Sequence, residues 1–211
     1  MAHFKKPLAA AVALNAAIFV IEAIAGFRSE SLSLIMDSVH NLSDEMALVF
    51  LYLAFISREG LARNLLRSAN VFNSMGLITV SGLLLWQAIE RLFHPVAISG
   101  VVPIVVGLAA AVGNWGVAQL LKRPSANNAA IRLAYIHNMG DVYVSLVPVA
   151  AGLFVAISGI SVFDPLMACG VALWMIVSTS QEVVTSRNEL ISPQKIACGH
   201  AKEADSIDLT G

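Results

Sequence analysis

The chain has 211 residues; 57% are apolar, only 13% are charged, the net charge is −1 and the mean hydropathy is +0.76. An ordinary soluble domain carries about 25% charged residues, so a soluble fold is excluded. Disorder is excluded as well, because it requires low hydrophobicity with high net charge. No basic stripe gives a nucleic acid a footprint, and two distant cysteines, Cys169 and Cys198, fit neither a disulfide scaffold nor a Cys-x-x-Cys zinc module. The composition is that of an integral membrane protein.

Six stretches reach the roughly 20 mainly apolar residues that a spanning helix needs: Leu8–Phe27, Leu32–Ile56, Val71–Leu92, Val101–Leu121, Ala129–Ile157 and Val162–Thr185. Charges and helix breakers separate them: Arg28-Ser29-Glu30, Arg58-Glu59-Gly60, His94-Pro95, Lys122-Arg123-Pro124, and Ser158-Gly159 leading to Asp164-Pro165. The first stretch follows Lys5-Lys6 as a signal peptide would. It is long for that role and contains Asn15 and Glu22, so it reads as the first span. The sequence thus predicts an all-α membrane protein of six transmembrane helices over residues 1–190, with a short cytoplasmic tail, expected to be disordered, over 191–211.

Orientation follows from the basic residues. Lys5, Lys6, Arg58, Arg63, Arg67, Lys122, Arg123, Arg132, Arg187, Lys195 and Lys202 fall on one side of a six-span chain, and only Arg28 and Arg91 on the other. So uneven a distribution places both termini in the cytoplasm. A cytoplasmic membrane is the default location, since no organelle address is present.

Ionisable side chains within a bilayer are costly and usually mark an ion or substrate path. The second span contains His40-x-x-x-Asp44 and the fifth contains His137-x-x-x-Asp141. Residues i and i+4 lie about 40° apart on one helix face, with Cβ atoms about 5–6 Å apart. Two such helices facing each other supply two nitrogens and two oxygens, the number that tetrahedral Zn²⁺ takes. A single pair would be explained equally well as an interhelical clamp. Two copies at identical spacing point to a metal site, and a bare proton relay would not need the same ligands twice. Asp37, one turn before His40, is either a residue at the mouth of an ion path, an acceptor orienting an imidazole, or a helix-end residue in interfacial water. Asn41 and Asn138 follow the histidines about 100° off the ligand face and read as interhelical hydrogen bonders. Asn15 and Glu22 share a face of the first span. Glu22 either lines the cavity or makes an ordinary interhelical bond. Cys198 and His200 form a weak metal pattern in the tail, and Trp86, Trp115 and Trp174 read as packing residues. Gly76, Gly82, Gly107, Gly113 and Gly140 offer small surfaces for helix sliding, and Pro148 is placed to kink the fifth span.

The run Ser31-Leu32-Ser33-Leu34-Ile35-Met36-Asp37-Ser38-Val39-His40-Asn41-Leu42-Ser43-Asp44 resembles the second-helix signature of the cation diffusion facilitators. Glu22-x-x-x-Gly26, Glu90-Arg91 before Pro95, His137-Asn138-Met139-Gly140-Asp141 and Asp164-Pro165 are similar to that family's first, third, fifth and sixth helices, in the right order. The resemblance covers roughly residues 8–190. It implies a six-helix antiporter, usually a homodimer, that exports divalent metal in exchange for protons. His40, Asp44, His137 and Asp141 would be the transport site, and Zn²⁺ the cargo, with Cd²⁺ or Co²⁺ as alternatives. The family usually adds a cytosolic ferredoxin-like domain, for which residues 186–211 are too few, so a short form held together by membrane helices is expected. The loop between the fourth and fifth spans also lacks the histidine-rich stretch of many zinc-transporting relatives. Two other readings of the same ligands remain: a non-transporting metal-binding helper or sensor, and an intramembrane metalloenzyme. The second needs a water nucleophile and a general base, and no Glu adjoins either histidine.

Overall fold

The computed structural model describes residues 2–56, 59–126 and 129–191, with side chains described over 5–53, 74–126, 131–181 and 183–184. The expected tail, with Cys198 and His200, lies outside the described residues. All regular elements among the described residues are helices: α1 (Ala2–Ser29), α2 (Leu32–Ile56), α3 (Glu59–Phe93), α4 (Val101–Ser125), α5 (Ala129–Val144), α6 (Leu146–Ser158) and α7 (Phe163–Ile191). Five segments are long and apolar enough to cross a membrane: Lys5–Ser29, Ser74–Phe93, Val101–Ser125, Ile131–Ser158 and Phe163–Gln181. With α2, which carries Asp37, His40, Asp44 and Glu45, they make the six expected helical spans of a multi-pass membrane protein.

Two details depart from the sequence reading. The third helix starts at Glu59 rather than near residue 71, because hydropathy marks only the part of a helix that lies in lipid. The fifth span is two helices, broken at Ser145. Pro148 has no N–H to give the Val144 carbonyl and its ring crowds that carbonyl, so α5 ends at Val144 and α6 starts again at Leu146. Gly159 stops α6 in the left-handed region at φ 71°, its N–H bonded to the Val155 carbonyl at 2.8 Å.

The helices form a bundle of α1, α2, α4 and the α5–α6 span, with α3 and α7 paired beside it and both leaning on α2. Each group has its own core. Leu8, Ala11, Ile18, Leu48, Ala110, Val117, Leu121 and Ile131 fill the bundle. Leu32, Ile35, Met36, Ala88, Ala168, Val171, Ala172 and Met175 fill the space between α2, α3 and α7. Helix α2 contributes to both, so it is packed on two sides, whereas α5 lies on α4, reaches α6 and α2 only locally, and its backbone makes no close approach to α7. The buried stripe of α1 recurs every three or four residues as Leu8, Ala11, Asn15, Ile18, Glu22 and Gly26. Its polar members are therefore turned inward, and large apolar residues such as Val20, Ile24 and Phe27 are exposed. Of the glycines expected at sliding surfaces, Gly107 and Gly113 do lie against neighbouring helices, while Gly76, Gly82 and Gly140 face open space.

One carboxylate organises the first turn of α2. Asp164, in the first turn of α7, accepts hydrogen bonds from the Ser31 hydroxyl (2.6 Å), the Leu32 N–H (2.6 Å), the Ser33 N–H (3.3 Å) and the Ser33 hydroxyl (2.5 Å). Leu32 and Ser33 begin a helix, where N–H groups have no intrahelical partner and the macrodipole favours negative charge. A side chain from another helix thus caps α2. Gly26 lets α1 approach this corner, since a Cβ there would come within 2.8 Å of Ile35. Arg91, at the end of α3, donates to the Glu30 carbonyl and pairs with its carboxylate at 3.8 Å.

Candidate metal centre

His40 and Asp44 stand one turn apart on α2, and His137 and Asp141 one turn apart on α5. The structure brings all four together, with one ligand atom from each lying within 4.8 Å of the others. The pairing is crossed between helices. His40 Nε2 lies 3.0 Å from Asp141 Oδ1, and His137 Nε2 lies 2.7 Å from Asp44 Oδ1. The pairs within each helix are longer, 3.6 Å for His40–Asp44 and 3.9 Å for His137–Asp141. In a tetrahedron of bonds near 2.0–2.1 Å, ligand atoms sit about 3.3–3.4 Å apart. The four His–Asp distances bracket that value, and all four donor atoms lie within 4.8 Å of one another, so the cluster has the dimensions to close on an ion. Asp44 Oδ2 and Asp141 Oδ2 are buried and make no hydrogen bond.

The donors differ in access. The side chains of His40, Asp44 and Asp141 are 7%, 5% and 4% exposed, while that of His137 is 52% exposed. The His40 ring lies 5.8 Å from that of His137, and the edge of Trp174 meets it at 5.7 Å. Trp174 therefore packs against the cluster. It also lines an apolar groove of about 400 Å³ with Tyr143, Val147, Leu166, Gly170 and Val171.

The remaining candidates form a second polar layer. Asn41 is its hub: Nδ2 donates to Glu22 Oε2 at 2.5 Å, Oδ1 accepts from Asn114 Nδ2 at 3.4 Å, and its carbonyl accepts from Asn15 Nδ2 at 3.1 Å. Asn114 Nδ2 also donates to the Ser145 hydroxyl at 3.0 Å, at the break between α5 and α6. Asp37 is 1% exposed and so does not sit in interfacial water, and it does not orient an imidazole, because neither of its oxygens has a hydrogen-bond partner. It faces Glu22 and Ser145 instead. Asn138 bonds back to the Ala134 carbonyl of its own helix at 2.9 Å, not across to another.

Three buried polar residues beside these, Asn114, Ser145 and Glu45, belong to no motif in the sequence. Asn114 lies in the inward stripe Gly107–Ala110–Asn114–Val117–Leu121 of α4, a polar residue at an apolar register position, and that signal would have found it. Glu45 carries no such signal, yet it is only 9% exposed and faces Asn15.

Residues 8–191 match the model of the cation efflux transmembrane domain. Zinc transporter ZitB of Escherichia coli is 30% identical over 190 residues, covering 86% of this chain and 61% of that protein. The cadmium, cobalt and zinc/H(+)-K(+) antiporter of Bacillus subtilis is 30% identical over 179 residues, covering 80% and 58%. Metal cation efflux system protein CzcD of Cupriavidus metallidurans is 25% identical over 196 residues, covering 89% and 62%. The chain thus spans about three-fifths of the length of these relatives. With six helical spans, the order of its polar motifs and a family match over nearly all the described residues, the chain belongs to the cation efflux family.

Proposed function

We propose that the chain is a secondary transporter that moves a divalent cation, foremost Zn²⁺, out of the cytoplasm in exchange for protons, with His40, Asp44, His137 and Asp141 as its transport site. Cd²⁺ and Co²⁺ are the secondary cargoes. The observation that carries this reading is the convergence of two imidazole nitrogens and two carboxylates from two different helices within 4.8 Å, inside spanning segments. Ligands must be deprotonated to bind metal, so binding releases protons and protonation expels the ion. The crossed His–Asp pairs give each proton a defined seat when the metal is absent. The ion lies between α2 and α5, so a shift of one helix against the other opens or closes it, as alternating access about a midplane site requires. The transport unit lies within residues 1–190, in the cytoplasmic membrane, and works as a homodimer.

Zinc flux into proteoliposomes, with and without an imposed pH gradient, tests this for the parent chain and Asp141→Ala. Gradient-driven flux that the substitution abolishes is the expected result. Zinc bound by a folded parent without flux would favour the helper reading, and hydrolysis of a lipid or peptide would favour the enzyme.

A further inference from the structure

The layer on the side of the cluster away from the cytoplasmic termini contains more hydrogen-bond acceptors than its donors satisfy. Glu22 and Asp37 are 0% and 1% exposed, and their carboxyl groups face each other. The amide donors nearby are committed elsewhere: Asn41 Nδ2 to Glu22 Oε2, and Asn114 Nδ2 to Ser145 and Asn41. Four oxygens are left buried without a partner: Asp37 Oδ1, Asp37 Oδ2, Glu22 Oε1 and Asn114 Oδ1. Among the described residues, neither carboxylate pairs with a Lys or Arg. Buried charges are normally paired or coordinated to metal. Here the carboxyl groups of Glu22 on α1 and Asp37 on α2 face each other, Asn114 of α4 joins the same layer through Asn41, and Asp37 stands one turn from His40, about 4.5 Å along α2.

We propose that Glu22 and Asp37, with the Asn114 carbonyl oxygen, form a second, all-oxygen site for a divalent cation, one helical turn from the His–Asp cluster on the side away from the cytoplasmic termini. A proton shared between the two carboxyls satisfies an oxygen on each but leaves one net negative charge buried without a Lys or Arg among the described residues. A divalent cation balances both charges and takes oxygens of both carboxylates as ligands. Carboxylate and carbonyl oxygens suit harder ions such as Mn²⁺ and bind Zn²⁺ less tightly than a set containing imidazole. The site therefore releases zinc more readily than the cluster does. Its use as a step on the way out rests on the transport reading; its existence as a binding site does not.

The test is equilibrium Zn²⁺ binding to the full chain in detergent, in a Cys198→Ser/His200→Ala background so that the tail contributes no ligands. The parent is expected to bind two equivalents whose affinities differ at least tenfold. Asp37→Asn and Glu22→Gln each remove the weaker equivalent, while Asp141→Ala removes the tighter one. Glu22→Gln keeps an acceptor for Asn41 and so preserves the fold, which elution profile and thermal unfolding check. In a His40→Ala/His137→Ala chain, bound Mn²⁺ read by its paramagnetic resonance persists, and adding Asp37→Asn abolishes it. One zinc equivalent in the parent, or equal stoichiometry in parent, Asp37→Asn and Glu22→Gln, overturns the proposal; a proton-only site gives that result. Two equivalents with no flux would leave this site standing while the transport reading fails.

Discussion

The two His-x-x-x-Asp motifs are identical in spacing and opposite in setting. His40 sits on α2, the helix that both cores share, and its side chain is 7% exposed with Trp174 against its ring. His137 sits on α5, which packs chiefly on α4 and leaves the imidazole 52% exposed. Spacing determines which side chains share a helix face. How firmly that face is held depends on what packs behind it, and here one half of the site is packed on two sides and the other chiefly on one.

The largest effects should ignore this difference. Asp44→Ala and Asp141→Ala are each expected to abolish zinc flux while the protein remains folded in detergent, because each carboxylate serves both histidines. Near-parental flux in either variant would remove the assignment of these residues to the site. The histidines should separate. Water can take the place of the exposed His137 as a fourth ligand, so His137→Ala should weaken zinc binding about tenfold, against about a hundredfold for His40→Ala. Equal losses by calorimetry would mean that exposure has no bearing on the site.

Protons compete with zinc for both imidazoles, so affinity should fall as pH falls, and recover as pH rises. Removing His137 should reduce the steepness of that dependence by about one proton per zinc, if each histidine releases one on binding. An unchanged slope would show that His137 does not exchange its proton for metal. At the other end of α2, Asp164→Asn replaces an anion that accepts four hydrogen bonds. It should lower unfolding stability by about 2 kcal/mol and leave zinc affinity nearly intact, as denaturant titration and calorimetry would show together. The smallest effect is expected for Pro148→Ala, which restores an N–H to the fifth span and straightens it. Flux should drop a few-fold with zinc affinity unchanged, and an unchanged rate would mean that the break at Ser145 is not used in transport.

Much of this was legible in the residues. The spans follow from apolar length, and the four-residue cluster follows from two repeats of one spacing at places where charge is costly. The break at Ser145 was half-legible: Pro148 announced a kink, but whether the helix bends or divides depends on what holds each side. Helix α3 was underestimated because a helix can continue through charged residues once it leaves lipid. The Glu22–Asp37 layer was the least legible. Each residue alone admitted an ordinary reading, and only the packing of α1, α2 and α4 shows that their donors are spent on one another while the acceptors remain. Asn114 and Glu22 both interrupt an apolar stripe, so the signal existed in the register and not in any motif.

The Asp164 corner also sets the geometry of any motion. With Leu32 and Ser33 held by a carboxylate of α7, any tilt of α2 would pivot about its own first turn. His40 and Asp44 stand eight and twelve residues along it, about 12 and 18 Å from that point. A tilt of about 10° would then carry them about 2 and 3 Å sideways, far more than the roughly 0.2 Å that metal–ligand bonds tolerate. A small tilt about the clamped end would therefore be enough to separate the four side chains, so the clamp at one end of the helix sets the leverage at the other.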